Sequence, residues 1–279
     1  MLKKAFDYFL FTSLFIALCA VVMVLQTDQL LRLHYDQFAY LGFVFSSTIC
    51  SYNFHWYLTP NAEGENDRAQ WTRNHKALHI ILFLAGVVGS AWFFFQLLYA
   101  WFWLFVPVVL TFLYSAPKIP HRSFHVLRKI AIGKTIFLSF VWMYVTTLMP
   151  VLLHEGPIGQ SAILFCCSRF FLIYAICIVF DYRDRINDKN QGIRSLITYL
   201  DDKGIDILFY GSLLVFLIST AALYFYHFTT IAILLLLFPG VIVMFLFSKA
   251  KRNFSDYLYY FVLDGLMMFS ALFTFFLRF

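Results

Sequence analysis

Asp181, Asp184 and Asp188 follow directly on an apolar run, 161–180, and stand three and seven residues apart. On a helix those offsets fall within about 60° of one another, so the three carboxylates share a face where the chain leaves the hydrocarbon. Grouped carboxylates at such a boundary repel one another and resist ionisation unless something offsets their charge. Two remedies are open. A hard divalent cation such as Mg²⁺ takes oxygen ligands and shares them with phosphate. Alternatively Arg183, Arg185 and Lys189 fold back onto the acids, or the segment is simply a solvated mixed-charge loop.

The elements that must position these residues are apolar helices. The chain of 279 residues is 62% hydrophobic and 13% charged, against about 45–50% and about 25% for soluble domains. Nine segments have the length and apolarity of spans, at about 8–26, 37–57, 77–94, 96–115, 130–152, 161–181, 205–226, 229–248 and 256–277. The expected fold is therefore all-α: a polytopic membrane protein of nine transmembrane helices, with residues 1–279 forming one domain around a central cavity. The run after Lys3-Lys4 has no small-residue cleavage pattern behind it and reads as the first span. Alternate connections collect nearly all the bases, including Arg68, Arg73, Lys118, Arg122, Arg128, Lys134, Arg194, Lys203 and Lys251, while the others hold Arg32 and Arg278. The positive-inside rule then places the N-terminus in the cytoplasm and the C-terminus outside, in a plasma or inner membrane. The net charge of +6 follows from that asymmetry, so no nucleic-acid partner is needed to explain it.

Other candidate chemistries find little support. Cys19, Cys50, Cys166, Cys167 and Cys177 lie inside predicted helices without CxxC spacing, which suits packing. His75/His79 and His121/His125 have i,i+4 spacing but lack the glutamate of an HExxH site. No glycine-rich phosphate loop and no Gly-x-Ser-x-Gly elbow is present. Within the hydrocarbon, Arg169 and Asp264 are charges that must pair with each other or line a cavity.

The acidic segment, Asp-x-x-Asp-x-x-x-Asp-x-x-x-Gly-x-x-Ser through Gly192 and Ser195, resembles the second Asp-rich motif of the UbiA superfamily of intramembrane prenyltransferases. Tyr114-Ser115-Ala116-Pro117-Lys118 is similar to that family's Tyr-Ser-x-Pro segment, and the resemblance extends over the whole chain. It implies an enzyme that moves an isoprenyl group from a prenyl diphosphate to a lipophilic, aromatic acceptor. By that resemblance Asp181, Asp184 and Asp188 would hold Mg²⁺. Lys118, Arg122, Arg68 and Arg194 would face the diphosphate, with Asn53 or His55 adding a contact. The first Asp-rich motif departs from the pattern. Asn53 is kept, but Phe54, Tyr57 and Asn61 occupy the three carboxylate positions. Two further readings therefore stand beside the enzyme: a catalytically silent relative that binds an isoprenoid or quinone-like lipid, and a transporter or assembly protein sharing only the helical architecture.

Overall fold

The computed structural model describes residues 2–59, 67–115, 133–154, 156–190 and 195–276, and within them every regular element is helical. In chain order these are α1 (Leu2–Phe11), α2 (Leu14–Leu31), α3 (Gln37–Tyr57), α4 (Asp67–Asn74), α5 (Lys76–Gln96), α6 (Trp101–Ser115), α7 (Lys134–Leu153), α8 (Gln160–Asn190), α9 (Leu196–Tyr199), α10 (Asp202–Ala222), α11 (Thr230–Ala250) and α12 (Leu258–Thr274). Seven helical stretches are long and apolar enough to cross a membrane, and α3 and α12 fall outside that set. α3 carries Ser46, Ser47, Thr48, Ser51, Asn53 and His55, and α12 is short.

Side-chain contacts sort the helix ends into two groups. At one end lie Asn53 with Thr12, His55 with Ser115, Lys134 with Asp188, and Lys251 with Asp206. At the other lie Tyr35 with Asp28, His34 with His154, Gln160 with Tyr226, and Gln29 with the Thr274 carbonyl. The helices thus run back and forth between a charged end and a sparsely charged one. The outer surface suits lipid. Ile81, Leu84, Val88, Trp92 and Phe95 of α5, and Phe102 and Phe105 of α6, are more than half exposed.

Sequence periodicity anticipates one helix over 8–26, and the structure breaks it. Ser13 adopts φ 67°, a left-handed conformation that costs a non-glycine residue about 1–2 kcal/mol, and separates α1 from α2. Partners from distant elements hold the break. Asn53 donates to the Thr12 carbonyl at 3.1 Å, and Arg68 donates to the Ser13 hydroxyl at 3.2 Å.

α7 contains a π-helical turn, Tyr144–Leu148, which shifts carbonyls out of the regular ladder. Hydroxyls on neighbouring helices take them: Tyr40 donates to Val145 at 2.6 Å and Thr27 to Thr146 at 2.7 Å. A second π-helical turn, Leu258–Leu263, opens α12 just before Asp264.

Arg169 and Asp264, expected as either a pair or cavity-lining charges, are not hydrogen-bonded to each other. Arg169 is buried on α8 and donates to Gln26 of α2 at 2.8 Å, with its guanidinium 4.9 Å from the Phe165 ring. Gln26 in turn donates to Ser270 and Thr274 of α12 at 3.0 and 3.1 Å. Polar side chains thus pin three helices together inside an apolar bundle, where the alternative is an unsatisfied group in hydrocarbon.

α3 and α5 make the most extensive helix contact, and at Gly86 the absence of a side chain lets their backbones approach. A Cβ on Gly86 would stand 2.7 Å from the Cys50 backbone nitrogen, which is rigid main chain. Gly86→Ala should therefore part the helices and lower thermal stability in detergent by about 1–3 kcal/mol. Gly211 on α10 meets nothing within 4 Å, so Gly211→Ala should be neutral or stabilising.

Candidate functional site

α8 continues as a helix to Asn190, nine residues past the expected span, so Asp181, Asp184 and Asp188 do sit on one helix. They do not act as a uniform face. Asp181 and Asp188 are buried and turn toward the first turn of α7, whereas the Asp184 side chain is 40% exposed. Lys134, the first residue of α7, bridges the two buried acids. Its Nζ lies 3.7 Å from Asp181 Oδ1 and donates to Asp188 Oδ2 at 3.3 Å. Thr135 donates its hydroxyl to the other oxygen of Asp181. The positive end of the α7 dipole adds to that attraction.

Asp184 takes a different cation. Arg183 donates through Nε to Asp184 at 2.9 Å and through Nη2 to the Tyr260 hydroxyl at 2.9 Å, and its Nη1 lies 3.7 Å from Asp256 Oδ1. Its guanidinium also lies 4.3 Å from the Tyr259 ring centroid. Asp256, just before α12, accepts the Arg68 backbone N–H at 2.8 Å. Burial pushes its carboxyl above the usual range, while the Arg68 N–H and the Arg183 charge act the other way.

Arg68 is 2% exposed and packs against Trp56 and Tyr260, at 4.1 and 4.2 Å from the ring centroids, the two rings meeting edge to face beside it. Each such contact is worth about 0.5–2 kcal/mol. Burial pulls its guanidinium pKa down, and the Tyr260, Asp264 and Asp256 charges oppose the shift. A guanidinium remains charged across the working pH range regardless.

The other expected site residues divide. Asn53 is fully buried and spends its amide inside the fold: it donates to the Thr12 and Ile49 carbonyls and lies 2.7 Å from His79 Nδ1. His55 stacks on Tyr114 at 5.3 Å and lies 3.4 Å from the Ser115 hydroxyl, so it borders the Tyr-Ser segment at the charged end. Lys118, Arg122 and Arg194 lie outside the described residues, as do His121, His125, Asn61 and Gly192. His75 and His79 do not converge as a metal pair. His75 stacks on Trp71 at 4.1 Å, and the His79 Nδ1 faces Asn53. All five cysteines are unpaired.

At the positions where the resemblance expects the first set of acids, Phe54 stacks on Phe83 of α5 at 5.4 Å and Tyr57 is 44% exposed. Both serve packing and surface. Sequence reasoning missed Lys134, Thr135, Asp256 and Tyr260. The signal for Lys134 was present: a lysine and a threonine opening an apolar run, with no acid of their own nearby.

Mg²⁺ requires near-octahedral oxygens at about 2.0–2.1 Å. The space between Asp181 and Asp188 instead holds an ammonium, and Asp184 is drawn off by Arg183. Among the described residues no group of three His, Cys, Asp or Glu side chains is arranged to hold a metal ion. The donor set in this arrangement does not fit Mg²⁺. At the opposite end a recess lined by Asp28, Gln29, Arg32, Leu33 and His34 is separated from these acids by the length of the bundle.

The arrangement as a whole is a band of cations, Arg68 buried and Lys134 and Arg183 partly so, interleaved with carboxylates and aromatic faces. No protein-family model, no curated protein and no solved structure matches the chain.

Arg183 is the keystone of this band. Arg183→Gln leaves the Asp256 charge with only the Arg68 N–H and should cost about 3–5 kcal/mol. Asp256→Asn keeps an acceptor for that N–H and should cost less. In the double variant part of the loss should return, giving a coupling of about 0.5–3 kcal/mol by thermal unfolding in detergent. Strictly additive losses would show that the 3.7 Å pair is not energetically linked.

Proposed function

We propose that this chain is a membrane-embedded, prenyltransferase-like protein. It takes the diphosphate end of an isoprenyl lipid at the charged end of the bundle and transfers the isoprenyl group to a lipophilic, aromatic acceptor. The supporting observation is this band itself. Lys134, Arg183 and Arg68 are held beside Tyr114, Tyr260 and Trp56 at the membrane boundary, where an amphiphile with an anionic head and an apolar tail would lie. The resemblance to the UbiA superfamily in the Asp181–Ser195 and Tyr114–Lys118 segments points the same way.

On this reading α3 and α12 count with the other seven helices as nine spans around a lumen for the tail. The charged end faces the cytoplasm with the N-terminus, and the C-terminus is outside. Transfer breaks the C1–O bond of the prenyl diphosphate, with the electron pair leaving on the diphosphate. The acceptor carbon closes a bond to C1 and releases a proton. Charge gathering on the departing diphosphate is met by fixed cations in a dry setting, which lowers the barrier more than the same groups would in water. By the resemblance to the UbiA superfamily, Lys118, Arg122 and Arg194 would add to this cationic set. The positive character that develops on the allyl carbon is met by aromatic faces.

The second reading is a silent relative that binds an isoprenoid diphosphate or quinone-like lipid without turnover. The observation that favours it is the use of Phe54 and Tyr57 for packing and surface, where the resemblance expects acids.

One assay separates them. Purified protein in nanodiscs, given labelled prenyl diphosphates of several chain lengths and a panel of phenolic and quinol acceptors, should release diphosphate and form a prenylated product. Asp181→Asn should lower that rate by about 10²-fold. Saturable binding with no product from any pair would favour the silent relative. Absence of both binding and product would remove the prenyl-diphosphate reading.

A further inference from the structure

We infer that Lys134 serves as a tethered counter-ion in place of a divalent metal between Asp181 and Asp188, so that diphosphate recognition at this end of the bundle does not depend on Mg²⁺. This rests on the reading of that end as a diphosphate site and specifies how the site handles charge.

Three observations carry it. First, the ammonium lies between the two carboxylates, 3.7 Å from Asp181 Oδ1 and 3.3 Å from Asp188 Oδ2. Thr135 occupies the remaining oxygen of Asp181. A metal ion entering there would have to expel an ammonium fixed to the first turn of α7, and would find two carboxylates where a closed set of oxygens is needed. Second, the third acid of the motif is not available to complete such a set, because Asp184 pairs with Arg183 at 2.9 Å. Third, the described residues of the half-site that would bind a second metal offer no carboxylate. Phe54 lies on Phe83, and the Asn53 amide is used by Thr12, Ile49 and His79. These three changes agree with one another: with one set of acids gone, an ammonium and two guanidinium groups supply the positive charge that metal ions would otherwise bring.

An ammonium differs from Mg²⁺ in a way that an experiment reads directly. It needs no dehydration, and it remains in EDTA. It also leaves Asp181 and Asp188 unable to bind a paramagnetic ion until it is removed. Lys134→Met takes away the charge but keeps the aliphatic stem, and Lys134→Arg keeps a cation at the same position.

The test uses the full-length protein in nanodiscs, with farnesyl diphosphate as the probe and Mn²⁺ electron paramagnetic resonance as a second readout. Wild type and Lys134→Arg should bind farnesyl diphosphate with affinities that agree to about twofold in Mg²⁺ and in EDTA, and should show no bound Mn²⁺ in the absence of lipid. Lys134→Met should acquire a bound Mn²⁺ that Asp181→Asn abolishes, and its affinity should fall about tenfold or more when Mg²⁺ is replaced by EDTA. Wild type that holds Mn²⁺ in an Asp181-dependent manner, or that loses about tenfold affinity in EDTA, would overturn the inference while leaving the diphosphate site in place. Wild type that binds farnesyl diphosphate in neither condition would instead defeat the functional reading. The comparison of affinity in Mg²⁺ and in EDTA is made on the unaltered chain alone, so poor folding of a variant does not blunt it.

Discussion

A carboxylate taken out of water must meet a positive charge or stay protonated, and this constraint organises one end of the molecule. Asp181 and Asp188 meet Lys134, Asp184 meets Arg183, and Asp256 lies between Arg183 and the Arg68 backbone. These contacts join α4, α7, α8 and the start of α12, which no apolar seam alone would bring into register at this level. Pairing of this kind adds little net stability over well-packed apolar residues, because desolvation consumes much of the attraction. What it supplies is position: removing the cation from Asp181, Asp188 or Asp256 leaves a buried charge without its partner.

The same residues serve structure and candidate chemistry together. Arg68 fixes the Ser13 break with its side chain and Asp256 with its backbone, while the rings of Trp56 and Tyr260 pack against its guanidinium. Asn53 likewise ties α3 to the Thr12 carbonyl and to His79. A residue that resembles a ligand in sequence can thus be spent entirely on holding elements together. Motif spacing does not distinguish the two uses, because both require a polar group at the same depth.

Much of the helical layout was legible from hydropathy, since long apolar runs bounded by charge admit few alternatives. The helices over 76–96, 98–115, 134–153, 202–226 and 230–250 fall within a few residues of expectation. The break at Ser13 was not legible. Nothing local marks it, and its partners Asn53 and Arg68 come from forty and more positions further along the chain. The helical placement of Asp181, Asp184 and Asp188 follows from their spacing, but the division of their loyalties does not. That division depends on Lys134, whose nearness to Asp181 and Asp188 arises from the packing of α7 on α8. Asp256 escaped notice for the same reason: its meaning lies in Arg183 and Arg68, both remote in sequence.

The contact of Arg169 with Gln26 has a consequence at the far end of the same helix. A guanidinium in the apolar interior has one tolerable bearing, so it acts as a clocking peg for α8. Turning that rod by a single residue, about 100°, would part the guanidinium from Gln26. Asp181 lies twelve residues further on, about 18 Å along the rod, and its azimuth is inherited from the peg. The compass heading of the acids is thereby set from more than three helical turns away, through a stretch of chain that has no charge of its own.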